Sequence, residues 1–271
     1  MEFRVADANG APAPAYAYTG GKAFEAARPC VVFVHGALND HSVWTLLARW
    51  FAHHGHAVLA VDLPGHGRSG GQPAASVEGY AAWLLALLDA AGVQRAALVG
   101  HSMGSLIALE AAARAPERAT RLVMIGTAYP MKVSEALLNT SRDAPLKAID
   151  MVNAFSHAGT AAKPSYPGPG SWLHGGDRAL MRRLQAGQTA LNLFHHDFGV
   201  CDRYAGGLEA AAQVTCPAHA ILGARDQMTL PRAAGSIAAA LKARVHSVEA
   251  GHALMSEAPD AVLAALRIAL E

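Results

Sequence analysis

Short apolar runs and longer segments of helical periodicity alternate along most of the chain. Val31–Val34, Val58–Val61, Ala96–Val99, Leu122–Ile125, Ala220–Leu222 and Val245–Val248 are each short and mostly apolar. That pattern predicts strands covered on both faces, as in a parallel sheet. Between them, Trp44–His53, Val77–Ala91, Ser105–Ala115, Ala233–Leu241 and Pro259–Leu270 read as helices. The alternation predicts an α/β fold, a mostly parallel twisted sheet flanked by helices on both faces. Residues 2–19 add a candidate antiparallel hairpin at one edge.

The alternation breaks once. From Tyr129 to Leu208 no strand-like run appears, and helical patterns surround a Pro/Gly-rich stretch, Lys163–Gly170. A segment of that length between two sheet strands is too long for a bare loop. It predicts a helical lid over residues 129–208, inserted between a first core part, 1–128, and a second, 209–271. Such a lid is expected over the strand ends, where open α/β sheets bind ligands.

With 271 residues, 52% hydrophobic and 16% charged, the chain can bury a sizeable core without disulfides or a structural metal. Disorder over most of the length is excluded. The net charge of +1, with no basic or acidic block, leaves no electrostatic footprint for nucleic acid. The longest apolar run, Tyr80–Leu88, is far short of the ~20 residues of a membrane span. The first residues carry charges and no apolar core segment, so no signal peptide is expected. Cys30, Cys201 and Cys216, without a CxxC pair, fit a reduced, cytoplasmic setting. A homo-oligomer is left open.

Gly100-His101-Ser102-Met103-Gly104 follows the strand Ala96–Val99 and opens a helix. At such a turn the serine takes a strained backbone conformation and the flanking glycines make room. The turn lifts the hydroxyl above the sheet, at the positive end of the following helix. A serine hydroxyl is a weak nucleophile until a base removes its proton. Among 14 histidines, His252 follows the strand Val245–Val248 at the same edge of the sheet and is the candidate base. A base of this kind must be neutral, so activity is expected to fall below about pH 6.5. It also needs a buried carboxylate to fix its tautomer. Asp226, just past Ala220–Leu222, stands at another carboxyl-terminal strand end. The chain order serine, acid, histidine belongs to one particular fold.

On these motifs the chain resembles the α/β-hydrolase fold superfamily, in its serine-nucleophile, lid-bearing branch of esterase- and lipase-like proteins. The resemblance covers nearly the whole chain outside the lid. It implies a cofactor-independent serine hydrolase acting on a small-molecule substrate. The expected activity is that of a carboxylesterase on small-to-medium uncharged acyl or aromatic esters, through an acyl-enzyme. It also implies that His35-Gly36 marks an oxyanion loop, the backbone N–H of Ala37, with Leu38 as an alternative, acting beside that of Met103. Asp62–Ser69 and Trp44 match turn and packing positions of the family. Serine at the elbow argues against haloalkane dehalogenases, epoxide hydrolases and dienelactone hydrolases. The same triad also serves carbon–carbon bond hydrolases of ring-cleavage products, cofactor-free haloperoxidases or perhydrolases, and small-molecule receptors with slow turnover. Ala37-Leu38-Asn39-Asp40 departs from the glycine-rich loop usual in the carbon–carbon hydrolases.

Other motifs are set aside. Gly65–Gly70 satisfies G-x-G-x-x-G, but Pro64 precedes it and no helix follows until near Ser76, so no dinucleotide site is expected. His53-His54-Gly55-His56 and His195-His196-Asp197 lack metal-ligand spacing, and no metal is expected. His101 is expected to pack with its ring turned away from Ser102. Some apolar lid residues, among them Met131, Met151, Phe155, Trp172 and Phe198, are expected to face a cleft floored by Leu38, Met103 and Met228. Leu38 and Met228 are the candidate substrate contacts. An apolar cleft favours an uncharged substrate; for a carboxylate, Arg142, Lys147 and Arg203 are the candidate partners.

Overall fold

The computed structural model describes residues 1–159, 171–188 and 191–271. The Lys163–Gly170 stretch and the side chain of Trp172 lie outside what is described. Eight strands form one sheet: β1 (Glu2–Ala6), β2 (Pro12–Tyr18), β3 (Cys30–Val34), β4 (Ala57–Val61), β5 (Ala96–His101), β6 (Ala119–Ile125), β7 (Ala218–Gly223) and β8 (Arg244–Val248). Their spatial order is β1-β2-β4-β3-β5-β6-β7-β8. β1 and β2 form the antiparallel edge hairpin expected from residues 2–19, and β2 meets β4 antiparallel. The six strands from β4 to β8 run parallel.

Every residue of β3, β4 and β5 is buried, as their uninterrupted apolar sequences require. Successive side chains point to opposite faces, and each face has its own core. Val32, Val34 and Leu98 pack with α2 (Val77–Ala90) and α3 (Met103–Arg114) on one side. Phe33, Val99 and Val123 pack with α1 (Thr45–His53) and α11 (Pro259–Leu270) on the other. Ser76 starts α2 by accepting a hydrogen bond from Gly79 N–H at 3.1 Å, a side-chain N-cap. β8 departs from the expectation of two covered faces. It ends the sheet, and Arg244, Val245 and Ser247 are exposed.

Between β6 and β7 the chain runs through α4 (Glu135–Asp143), α5 (Pro145–Ser156), α6 (Ser171–Gly187), α7 (Leu193–Arg203) and α8 (Gly207–Gln213), with no strand among the described residues. α8 packs back onto α3, its Ala210 and Ala211 joining the main core. After β7 come a 3-10 turn (Pro231–Ala234) and α9 (Gly235–Ala240), and after β8 the short α10 (Leu254–Glu257). Among the described residues no helix is long and apolar enough to cross a membrane.

Candidate active site

Ser102 stands between β5 and α3 with φ 53° and ψ −121°, a left-handed conformation uncommon outside glycine. Its two glycine neighbours have no room for a side chain. A Cβ on Gly100 would collide with the Gly104 carbonyl, and one on Gly104 with the carbonyls of Val34 and His35. The Ser102 N–H donates to Ile125 O at 2.9 Å, and the Ser105 hydroxyl bonds the Ser102 carbonyl at 2.6 Å. The turn is thus held from both sides. The Ser102 hydroxyl itself makes no hydrogen bond among the described residues, and Ser102 lines a cavity.

Asp226 is buried at the end of β7. Its Oδ1 accepts from the N–H groups of Met228 and Thr229, each at 2.8 Å. Its Oδ2 accepts from the Thr229 hydroxyl at 2.7 Å and from His252 Nδ1 at 2.8 Å. Burial alone pushes this carboxyl up. The imidazole and the Thr229 donors outweigh that and hold it below the usual carboxylate range. With Nδ1–H donating to the carboxylate, a neutral imidazole keeps Nε2 free to accept a proton. His252 lines the same cavity as Ser102. Thr229, whose Oγ1 also lies 3.1 Å from His252 Nδ1, was not legible in the sequence.

His101 does not merely pack. Its Nε2–H donates to the His252 carbonyl at 2.9 Å, and the two rings lie 4.7 Å apart between centroids. Burial, and next the His252 ring, push the His101 imidazole down to about 3, so it stays neutral. Glu257 supports the same loop: its carboxylate accepts from Gly251 N–H at 3.1 Å and from Ala158 N–H, just past α5, at 3.0 Å.

The loop after β3 is locked by its own histidine. His35 Nε2 accepts from Leu63 N–H at 3.0 Å, and Nδ1–H donates to Gly36 O at 2.8 Å. Ala37 lines the cavity, and neither its N–H nor that of Met103 has a partner among the described residues. Leu38 corrects two expectations. Its N–H donates to Asp197 Oδ2 at 2.8 Å, so it is not free for a ligand. Its left-handed backbone, φ 51°, accompanies a side chain fully buried in the core, not on the cavity floor. The Met103 side chain is likewise in the core; of the expected floor residues, Met228 lines the cavity.

The cavity measures about 390 Å³. Met131, Leu137, Met151, Phe155 and Phe198 from the β6–β7 segment line it, together with Met255 near His252. Among its described lining residues Lys132 is the lysine or arginine, and it pairs with Asp202, its Nζ donating to Asp202 O at 2.6 Å. Arg142, Lys147 and Arg203 do not line it. At Asp62 and Trp44 the contacts are those of a turn and of packing. Asp62 accepts from His41 N–H at 2.7 Å and Arg68 N–H at 2.8 Å, and Trp44 packs fully buried on Phe33. Asp40, His41 and Asp62 bring three ligand-type atoms within 4.8 Å. Each is already engaged: Asp40 with Ser42 and Arg183, His41 with Asp62.

A family model for the alpha/beta hydrolase fold matches residues 29–165. The chain belongs to this family. A putative non-heme haloperoxidase of Mycobacterium phage D29 is 36% identical over 99 residues, 36% of each chain. The 2-succinyl-6-hydroxy-2,4-cyclohexadiene-1-carboxylate synthase of Serratia proteamaculans (strain 568) is 34% identical over 110 residues, 39% of this chain and 41% of that one. The matches thus span about two-fifths or less of those relatives' lengths. The crystal structure of the enol-lactonase from Burkholderia xenovorans LB400 superposes with a TM-score of 0.81 at 21% identity, over 95% of this chain and 96% of that one. The shared fold therefore extends well beyond the matched sequence.

Proposed function

We propose that this α/β-hydrolase-fold protein is a serine hydrolase, a carboxylesterase of small-to-medium uncharged acyl or aromatic esters. The observation that carries the reading is the Asp226–His252 pair opening onto the same cavity as Ser102 at its strained turn. In the proposed reaction, Ser102 Oγ attacks the ester carbonyl carbon while His252 Nε2 takes the hydroxyl proton. Asp226 stabilises the resulting imidazolium. The hydrogen bond between Ser102 and His252 forms as substrate binds, since such contacts tighten in the Michaelis complex.

The negative oxygen of the tetrahedral intermediate is held by two N–H groups that have no partner among the described residues, Ala37 and Met103, the latter at the positive end of α3. His252 then gives its proton to the departing alkoxide, leaving an acyl-enzyme on Ser102. Water attacks this ester, His252 takes the water's proton, and returning it to Ser102 Oγ frees the acid. No step calls for a cofactor. The helices α4–α7 act as the lid over residues 129–208, with their apolar side chains forming the acyl site. Among the described lining residues the lysine or arginine is Lys132, held by the Asp202 carbonyl at 2.6 Å with the Asp202 carboxylate at 3.9 Å, and the mainly apolar walls support an uncharged substrate.

The test is hydrolysis of a p-nitrophenyl ester series of increasing acyl length by the wild type and by Ser102→Ala. Turnover that peaks at one chain length and falls by about 10³-fold or more in the variant is expected. No turnover across the series moves the reading to carbon–carbon bond hydrolysis or ligand binding. Equal turnover by both proteins removes Ser102 from the chemistry.

A further inference from the structure

Asp197 lies in α7, in the histidine-rich stretch His195-His196-Asp197, and is fully buried. One of its oxygens, Oδ2, joins two loops of the core. It accepts from Leu38 N–H, 159 residues away, at 2.8 Å, and from His66 Nε2, 131 residues away, at 2.8 Å. His66 is fully buried too, and its other ring nitrogen lies 3.0 Å from Pro64 O. Both contacts are satisfied when the ring donates from both nitrogens, as an imidazolium does. Burial pushes the His66 ring down, and the Asp197 carboxylate outweighs burial to raise its pKa. Both side chains of the pair are fully buried, with the second Asp197 oxygen unpartnered among the described residues.

A buried ion pair is weak evidence for stability, because the attraction must first repay the desolvation of two charges. What this pair does geometrically is specific. The peptide between Gly36 and Ala37 is fixed by His35 Nδ1–H on the Gly36 carbonyl at 2.8 Å. The next peptide, between Ala37 and Leu38, is fixed by Asp197 on the Leu38 N–H. Ala37 is therefore locked on both sides. Leu38 is held at φ 51°, where a leucine stays only when its surroundings over-determine it.

We propose that Asp197 is a positioning residue for ester hydrolysis: through the Leu38 N–H it sets the direction of the Ala37 N–H that binds the oxyanion. The inference rests on the reading of Ala37 as an oxyanion donor. His66 holds the Asp197 carboxylate in place, so a side chain of α7 completes a loop that otherwise belongs to the core. Losing the lock releases the left-handed Leu38 and turns the Ala37 N–H away from the reacting carbonyl, without altering the walls that bind the acyl chain.

Three readouts on Asp197→Asn and Asp197→Ala test this: amide hydrogen exchange at Leu38, kcat and KM on p-nitrophenyl butyrate, and affinity for an alkyl trifluoromethyl ketone. In Asp197→Ala, exchange at Leu38 is expected to rise about tenfold or more relative to β5 amides. kcat should fall about 10–100-fold with KM within about twofold, and ketone affinity should fall with it, since the ketone adduct places its oxygen in the oxyanion site. Asp197→Asn, which keeps an acceptor for Leu38 N–H, should lose less on all three. A Leu38 amide that exchanges at the wild-type rate in both variants overturns the proposal. So does a kcat loss matched by a KM rise, with ketone affinity intact. If Asp197→Ala does not fold, the same readouts on the isosteric Asp197→Asn decide. Hydrogen exchange needs no turnover, so it reports on the Leu38 lock even if the wild type hydrolyses no ester, in which case it is the esterase reading that fails.

Discussion

The ring of His101 donates from Nε2 to the carbonyl oxygen of His252 at 2.9 Å. A residue adjacent to Ser102 in sequence thereby anchors the loop that carries the proposed base, 151 positions later. His101 is buried, its Nδ1 has no partner among the described residues, and a charged ring there is disfavoured by burial and by the His252 ring.

This anchor sets a pH dependence of stability. Folded His101 stays neutral down to about 3, and folded His35, pushed down by burial and by His66, to about 4, whereas both start from 6.5. Between those values the unfolded chain binds more protons, so the stabilisation is complete above pH 6.5 and is lost as pH falls. Each ring contributes up to about 1.4 kcal/mol per pH unit. His101→Gln can keep the donor to the His252 carbonyl without the titration. Urea midpoints between pH 7 and 4.5 should therefore decline less steeply in this variant than in the wild type, and an equal decline rejects the assignment.

Asp226→Asn preserves shape but removes the charge that holds the His252 tautomer. kcat should drop about 10³–10⁴-fold with little change in KM. Thr229→Val removes one donor to Asp226 Oδ2, a charge-assisted bond of about 1.5–3 kcal/mol, and should cost about 10–100-fold in kcat. Thr229→Ser keeps the hydroxyl and should restore most of it. Steady-state kinetics on one ester compares all three.

Gly104→Ala tests the turn independently of activity. Its Cβ would lie 2.5 Å from His35 O and nearer still to Val34 O, and main-chain atoms at and just past the end of β3 cannot step aside as a flexible side chain can. A loss of about 1–3 kcal/mol or more is expected, read as a lowered Tm or urea midpoint. Gly235→Ala, where a Cβ meets nothing within 4 Å among the described residues, is the control.

The acyl site should respond to volume. Leu137 on α4 lines the cavity and is only partly buried, so Leu137→Trp can fill space without breaking the core. Its chain-length optimum in the ester series should move to shorter acyl groups. An unchanged optimum places the acyl chain elsewhere.

The parallel strands, the edge hairpin, the glycines around Ser102 and the order serine, acid, histidine were all readable along the chain. Those features are local. A fully buried strand declares itself by uninterrupted apolar residues, and a sharp strand-to-helix turn by the glycines it cannot do without. Strand ends at one edge then bring Asp226 and His252 together at 2.8 Å without further instruction from their neighbours. The direction of Leu38, the bond from His101 to the His252 carbonyl, the place of Thr229 and the Asp197–His66 pair were decided only in three dimensions. Each joins buried polar groups, most of them far apart in sequence, and once water is excluded each donor must find an acceptor wherever packing leaves one. Periodicity records which residues leave water, and only the packed tertiary structure determines which partner each buried polar atom meets.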